Sequence, residues 1–119
     1  MDIKALDKAL QEIVKKRDEL SKINYSDSKY DDLEEALHEL EDAFQDEYGD
    51  YLEEVLQSLH DEYCPDTDVL LAIAYLGQGI IVEVDKLPGK DTRLLLAPGP
   101  TRIILTVGKD KQQVVWEGK

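Results

Sequence analysis

The sequence from Tyr30 to Tyr63 reads YDDLEEALHELEDAFQDEYGDYLEEVLQSLHDEY, with apolar residues at three- and four-residue steps between runs of acid. The apolar stripe consists of Tyr30, Leu33, Leu37, Leu40, Phe44 and Tyr48, and it resumes through Leu52, Val55, Leu56, Leu59 and Tyr63. This spacing predicts an amphipathic helix whose acidic side faces solvent. Turn and cap residues at positions 24–28 predict its start, and Pro65 predicts a loop after its end.

Gly49 interrupts this stripe. A glycine inside a helix costs about 1 kcal/mol relative to alanine, and Asp50 with Glu53 has the spacing of a capping box. The stripe keeps its phase across the glycine, so one long helix is the alternative. We favour a break at Gly49, which would create a third, short helix after it.

An earlier stripe predicts another amphipathic helix, and two consecutive helices joined by a short turn predict an N-terminal helical hairpin. Arg17 is the one polar residue in the seam of this helix. The seam consists of Ile3, Leu6, Leu10, Ile13, Arg17 and Leu20, widened by Val14 and Ile23.

After Pro65 the pattern changes to short segments rich in β-branched residues, separated by turn signals. We predict five strands, at residues 69–76, 79–85, 92–97, 101–107 and 112–117. The turns at 77–78, 87–90, 98–100 and 108–111 are short enough to make neighbouring strands antiparallel. The first segment is entirely apolar, so a short buried helix is an alternative for residues 69–76.

These elements predict one α+β domain over residues 1–119, with a helical half at 1–64 and a β half at 69–119. The architecture is two-layer, with the helical hairpin packed on an antiparallel meander sheet of four or five strands. A chain of 119 residues, 42% hydrophobic and 34% charged, is long enough to bury a core without disulfides or metal.

Strict alternation along the last four strands places one apolar residue of each on the face turned away from the helices. These residues are Ile81, Leu95, Ile104 and Val115. The core face would receive Val114 and Trp116, together with the other inward residues of the four strands. An apolar band with polar flanks predicts a contact surface, and we expect it to support a homodimer. The alternative is ordinary exposure of scattered aliphatic side chains.

Three further residues are candidates for this interface. Arg93 and Arg102 flank the apolar band on the same face. Tyr51 lies away from the centre of the helical stripe, and tyrosine is a favoured interface residue because it brings large area at low entropic cost. Packing at the edge of the stripe is the alternative for Tyr51.

Charge is concentrated in residues 25–68, which carry seventeen acidic residues against one base, Lys29. The local charge is therefore −16, while residues 1–24 contribute +1 and residues 69–119 contribute +2 to the total of −13. This field favours a basic protein partner and repels phosphate backbones and anionic membranes. We expect no direct nucleic-acid binding, because the bases form no stripe interleaved with aromatic residues.

Each of the two histidines lies in a sequence pattern that also occurs in metal-binding or catalytic sites. Glu35 and His38 match the Glu-x-x-His spacing of di-metal bundles, but helical geometry turns both to solvent. His60 and Cys64 are four residues apart, but a helix C-terminus among acids disfavours a thiolate nucleophile.

Two further patterns do not match known ligand-binding motifs. Residues 66–68 lack the spacing of a calcium loop, and the glycines at 77, 79 and 99 lie between strands rather than at a helix start. We therefore expect no catalytic residue, no metal site and no cofactor.

No apolar run approaches the length of a membrane span, and the first ten residues do not resemble a signal peptide. The single cysteine, Cys64, excludes an intramolecular disulfide. These features predict a cytoplasmic protein without membrane contact.

The leading hypothesis is a non-enzymatic protein-protein interaction module that uses its acidic helical face, its partly apolar sheet face, or both. One variant is an acidic mimic that occupies the basic groove of a nucleic-acid-binding protein. The hypothesis from another class is a ligand-binding or enzymatic domain with a pocket between helices and sheet. That pocket would need an inward-facing acid with a raised pKa.

Overall fold

The computed structural model describes residues 1–87 and 89–118, and this part of the chain forms a helical hairpin followed by a sheet. The helices are α1 (Ile3–Ser21) and α2 (Tyr30–Tyr63), and a 3-10 helix spans Ala72–Tyr75. The strands are β1 (Ile80–Ile81), β2 (Thr92–Ala97), β3 (Arg102–Val107) and β4 (Lys111–Glu117). All neighbours are antiparallel in the order β1-β2-β3-β4. The predicted α+β arrangement of helical hairpin and meander sheet is confirmed.

Helix α1 buries the predicted seam through Leu6, Leu10 and Ile13. Its first turn is capped by Asp2, whose carboxylate accepts a hydrogen bond from the Ala5 N–H at 3.0 Å. Arg17, the polar residue of the seam, donates to the Glu41 carboxylate of α2 at 2.6 Å. This ion pair links the two helices in the part of the hairpin where few apolar residues are buried.

Helix α2 runs without interruption through Gly49, so the predicted break is wrong. Apolar residues on both sides of the glycine, Tyr48 and Leu52, are buried in one core. Packing of a continuous stripe outweighs the cost of one glycine, because that cost is only about 1 kcal/mol. The glycine also leaves room for the Gln45 side chain, which crosses the helix surface to donate to the Glu53 carboxylate.

Replacing Gly49 by alanine tests the continuous helix. A Cβ there would clash with Gln45 Nε2, which is the far end of a flexible side chain and can move aside. We expect Gly49→Ala to stabilise the protein by up to about 1 kcal/mol, and Gln45→Ala/Gly49→Ala to show that gain without the clash when it is compared with Gln45→Ala alone, which also lacks the hydrogen bond to Glu53. Urea unfolding measures both. A helix that ended at Gly49 in a left-handed conformation would instead be destabilised by alanine.

The segment 69–76 is not a strand. Residues 69–71 have no regular structure, and the 3-10 helix follows them, which is closer to the alternative of a short buried helix. Tyr75 is the reason, since its ring is fully buried and its hydroxyl accepts a hydrogen bond from the Leu70 N–H at 3.1 Å. This bond folds the segment back on itself.

The other predicted strands are present, with altered ends. The strand at 92–97 has the predicted bounds, and those at 101–107 and 112–117 each shift by one residue at their start. The strand at 79–85 is reduced to β1; after it the Val82 N–H still donates to the Thr92 carbonyl, and the Glu83 and Asp85 N–H groups donate to Thr67 Oγ1 and the Tyr63 carbonyl. The predicted turn at 87–90 includes Pro88, which lies outside the described residues.

The core lies between the helices and one face of the sheet. Leu52 and Leu56 of α2 pack in it with Leu94 of β2 and Ile103 of β3, all with no exposed surface. This face is the core face, and the opposite side of the sheet is the outer face. Among the described helices, none is both long and apolar enough to cross a membrane.

Candidate interaction surfaces

Strand register defines the outer face. Direct partners in antiparallel strands place their side chains on the same side of the sheet. Leu95 is paired with Ile104, and Ile104 is paired with Val114, so these three residues form one apolar row across β2, β3 and β4. We call Leu95, Ile104 and Val114 the outer row. None of the three belongs to the cluster of side chains that forms the helix-sheet core.

The outer row differs from the predicted band at one position. A register shift at Ile103/Ile104 places Trp116 opposite Ile103 and Val114 opposite Ile104, so Val115 is the extra residue. Val115 packs against the core and Val114 is 51% exposed, which reverses the faces expected for this pair. A bulge adds one residue to one strand, so alternation read back from Trp116, which packs against the core as predicted, assigns Val115 and Val114 to the wrong faces.

The members of the row differ in exposure. Ile104 is only 8% exposed, because it lies on an inner strand between Leu95 and Val114. Leu95 is half-buried and lies over Gly79, where a Cβ would clash with Leu95 Cδ1 and with the Leu94 carbonyl oxygen. Gly79 has φ +75°, a conformation that also favours glycine. Ile81, diagonal to Leu95, is 64% exposed.

The two predicted arginines flank the row on either side. Arg93 is paired with Ile81 and Thr106, and its Nε donates to the Asp91 carboxylate at 3.3 Å. Arg102 donates through Nη1 to the carbonyls of Pro98 and Pro100, at 2.8 and 3.0 Å, so its guanidinium is held by the turn between β2 and β3. Both positions lie on the outer face, as predicted.

Tyr51 lies on the other side of the sheet from the outer row. It is half-buried, and its ring centroid is 6.3 Å from that of Trp116 in an edge-on arrangement. Packing against the core thus accounts for its position in the fold. The structure does not bring Tyr51 together with the other interface candidates.

The acidic side of α2 is a second surface. Its carboxylates lie mainly on exposed positions, and Glu35 and His38 are both exposed, as helical geometry predicted. Among residues 1–87 and 89–118 no group of three or more His, Cys, Asp or Glu side chains is arranged to hold a metal ion.

Asp7 joins α1 to the sheet, and the sequence pattern did not single it out. Its Oδ1 accepts hydrogen bonds from the Gly99 N–H at 3.0 Å and from Thr101 Oγ1 at 2.7 Å, and its Oδ2 accepts one from Gln11 at 2.6 Å. Burial alone would raise the pKa of this carboxyl, but these hydrogen bonds and the charge of Arg102 outweigh burial and lower it. Asp7 is therefore an ionised structural group.

The separation of Asp7 and Thr101 in sequence explains why no local motif shows this contact. The two residues are 94 positions apart. Thr101 itself is fully buried, which is unusual for threonine and consistent with a fixed partner. A buried threonine could have been found only from the tertiary structure.

His60 is also a structural residue. Its Nδ1 lies 2.7 Å from the Thr67 carbonyl, which can only accept, so Nδ1 carries the proton. Its Nε2 then accepts from the Tyr75 hydroxyl at 2.9 Å. The ring is 1% exposed, and both nitrogens are occupied by these two bonds.

Cys64 lies one helical turn beyond His60 and is fully buried. Burial, with the nearby charge of Asp85, raises the pKa of its thiol to about 11. The thiol is therefore neutral at physiological pH, which is the opposite of what a nucleophile needs. The imidazole of His60 is directed to Thr67 and Tyr75, so the arrangement has no activated Cys-His pair.

A groove of about 430 Å³ lies where α1 meets the turn between β2 and β3. Its lining includes Ile3, Lys4, Lys8 and Pro100, and its carboxylate is Asp7. The acid in this groove is held ionised by its hydrogen bonds, whereas a general acid would need a raised pKa.

Comparison with known proteins gives no relative. No family model, no curated protein and no solved structure matches the chain.

Proposed function

We propose that this protein is a non-enzymatic protein-protein interaction module that pairs with a second copy of itself through the outer face of its sheet. The observation that carries the proposal is the outer row, in which Leu95, Ile104 and Val114 meet on the face away from the core. With Ile81 diagonal to Leu95, the row extends across all four strands. An apolar surface with charged flanks is typical of protein contact sites.

The distribution of charge supports a second copy as the occupant. Two copies with a net charge of −13 each repel one another, and residues 25–68 are the main source of that charge. The β half carries only +2 over residues 69–119. Pairing through the outer faces would keep the acidic α2 surfaces on the far sides of the two sheets, where their repulsion is weakest.

The titratable groups of the interior support the non-enzymatic part of the proposal. Asp7, His60 and Cys64 are the groups that a catalytic hypothesis would use, and each is engaged in a contact that holds the fold or is neutral in the apolar core. The acidic α2 surface then contributes solubility and sets the salt dependence of association.

Ile81→Lys tests the proposed contact. Ile81 is exposed, so lysine should leave the stability within about 0.5 kcal/mol while placing a buried charge in the dimer. We expect the dissociation constant of the face-to-face contact to rise at least about tenfold in sedimentation equilibrium. Substitution at Ile104 is less suitable, because its burial makes loss of fold an alternative explanation.

Gln57→Lys is the matched control. It adds the same charge at an exposed position of α2, on the acidic side of the molecule. Like Ile81→Lys, it makes the net charge of each copy less negative by one, so association should be unchanged or slightly tighter. Equal effects of the two lysines on the dissociation constant would contradict a contact at the outer face.

A further inference from the structure

Two neighbouring leucines in the segment before the 3-10 helix are exposed on backbone that is held in place. Leu70 is 46% exposed and Leu71 is 53% exposed, and we call them the leucine pair. The Leu70 N–H donates to the buried Tyr75 hydroxyl at 3.1 Å, and the Leu71 carbonyl accepts from the Ala74 N–H at 2.9 Å. Single exposed leucines are ordinary, but two side by side on fixed backbone form an apolar patch that can be covered at little cost in ordering.

The surroundings of the leucine pair are acidic and contain no base. Residues 30–85 include no lysine or arginine. Asp66 and Asp68 precede the leucine pair, and the Glu83 N–H donates to Thr67 Oγ1 of the same segment at 3.0 Å. All three carboxylates are exposed, and none is in an ion pair within residues 1–87 and 89–118. They are therefore available to the cations of a partner.

These charges select a different protein rather than a second copy. A twofold contact at this patch would bring the carboxylates of the two copies together. Any other orientation would still join two chains of net charge −13. A partner that carries lysine and arginine beside apolar residues would match both the acids and the leucine pair.

The adjacent edge of the sheet decides how such a partner binds. The Glu83 N–H, beyond the end of β1, is occupied by Thr67 Oγ1. The Asp85 N–H donates to the Tyr63 carbonyl at 3.3 Å. A partner cannot add a strand at these residues, because the donors that it would need are already used. It must bind through side chains, and an amphipathic helix presents apolar side chains at three- and four-residue steps between charged ones.

We propose that the leucine pair and its flanking carboxylates bind a basic amphipathic helix of another protein. Apolar contact with the leucine pair fixes the position of the helix, and Asp66, Asp68 and Glu83 select lysine and arginine along its sides. The site shares no residue with the outer row, and its occupant is not a second copy. Failure of this contact would therefore leave the proposed function standing.

A labelled synthetic helix of leucine and lysine, with leucine at helical spacing, tests the site by fluorescence anisotropy. Leu70→Gln/Leu71→Gln should raise its dissociation constant at least about tenfold, because the apolar contact is lost. Val14→Gln/Tyr25→Gln is the matched control and should leave the dissociation constant unchanged, since it removes two exposed side chains from the helical hairpin. Urea unfolding verifies that both variants are folded. A peptide with glutamate in place of lysine should not bind.

The flanking acids are tested by Asp66→Asn/Asp68→Asn. This variant should weaken binding by at least about fivefold and reduce its salt dependence. Asp42→Asn/Asp46→Asn makes the same change in net charge at exposed positions of α2 and should have a smaller effect. The proposal is overturned if the leucine pair and its control have equal effects, since binding would then reflect general acidity. Equal effects of the two aspartate pairs, or no binding up to about 1 mM peptide, would also overturn it.

Discussion

Tyr75→Phe is expected to lower the free energy of unfolding by about 1–3 kcal/mol, although it removes a single oxygen atom. The hydroxyl is buried between two groups, since it donates to His60 Nε2 and accepts from the Leu70 N–H. Phenylalanine fills the same space but leaves the buried His60 Nε2 without a donor, which costs about 1–3 kcal/mol; Leu70 is 46% exposed, so the loss of a partner for its N–H costs less. Urea unfolding at neutral pH measures the difference.

Tyr25→Phe provides the control for this substitution. Tyr25 is 78% exposed, so loss of its hydroxyl should change the free energy of unfolding by less than about 0.5 kcal/mol. If Tyr75→Phe costs no more than Tyr25→Phe, the hydroxyl does not bridge His60 and Leu70. The fold of residues 69–76 would then require another explanation.

Asp7→Asn is expected to reduce the stability at pH 7 by about 1–2 kcal/mol. Asparagine can still accept hydrogen bonds from Gly99 and Thr101. These bonds are weaker because the acceptor is no longer charged, and the attraction between the Asp7 carboxylate and Arg102 is lost. The pKa of Asp7 is lowered in the folded protein, so its stabilisation is complete above the unfolded pKa of about 3.9. It disappears as pH falls through the folded-state pKa.

The difference in the free energy of unfolding between wild type and Asp7→Asn should therefore have its full value at pH 7 and become smaller as the pH falls below about 4. Urea unfolding across this pH range gives the profile. Glu12→Gln removes the same charge from an exposed position of α1 and controls for net charge. A difference between wild type and Asp7→Asn that stays constant down to pH 2 would contradict the role of the ionised carboxylate.

Local periodicity predicted both helices and three of the four strands, but not the continuity of α2, the structure of residues 69–76 or the early end of the strand predicted at 79–85. The apolar stripes predicted both helices, and alternation with turn residues predicted β2, β3 and β4 within one residue. The continuity of α2 through Gly49 depended on packing against α1 and the sheet, which local propensity does not contain. The segment at 69–76 was decided by Tyr75, whose hydrogen bonds reach residues that precede it in the chain.

Sequence alternation likewise predicted most, but not all, of the residues of the candidate surface. Ile81, Leu95 and Ile104 lie on the outer face as alternation indicated, and Arg93 and Arg102 flank them. Alternation also assigns Val115 to that face, where Val114 lies instead. A bulge has no local signature in a run such as Val114-Val115-Trp116. The sequence did not predict the structural role of Asp7, because its partners, Gly99 and Thr101, lie more than 90 positions away in the chain.

The mass of the wild-type protein at low and high salt tests the central proposal most directly. At about 1 mM protein even a contact worth only about 4 kcal/mol is populated, so light scattering and sedimentation equilibrium should detect species larger than the 13.5 kDa monomer. Added salt should strengthen association, because it screens the repulsion between copies of charge −13 while the apolar outer row is unaffected. A protein that remains monomeric at this concentration at every salt concentration would contradict self-association through the sheet.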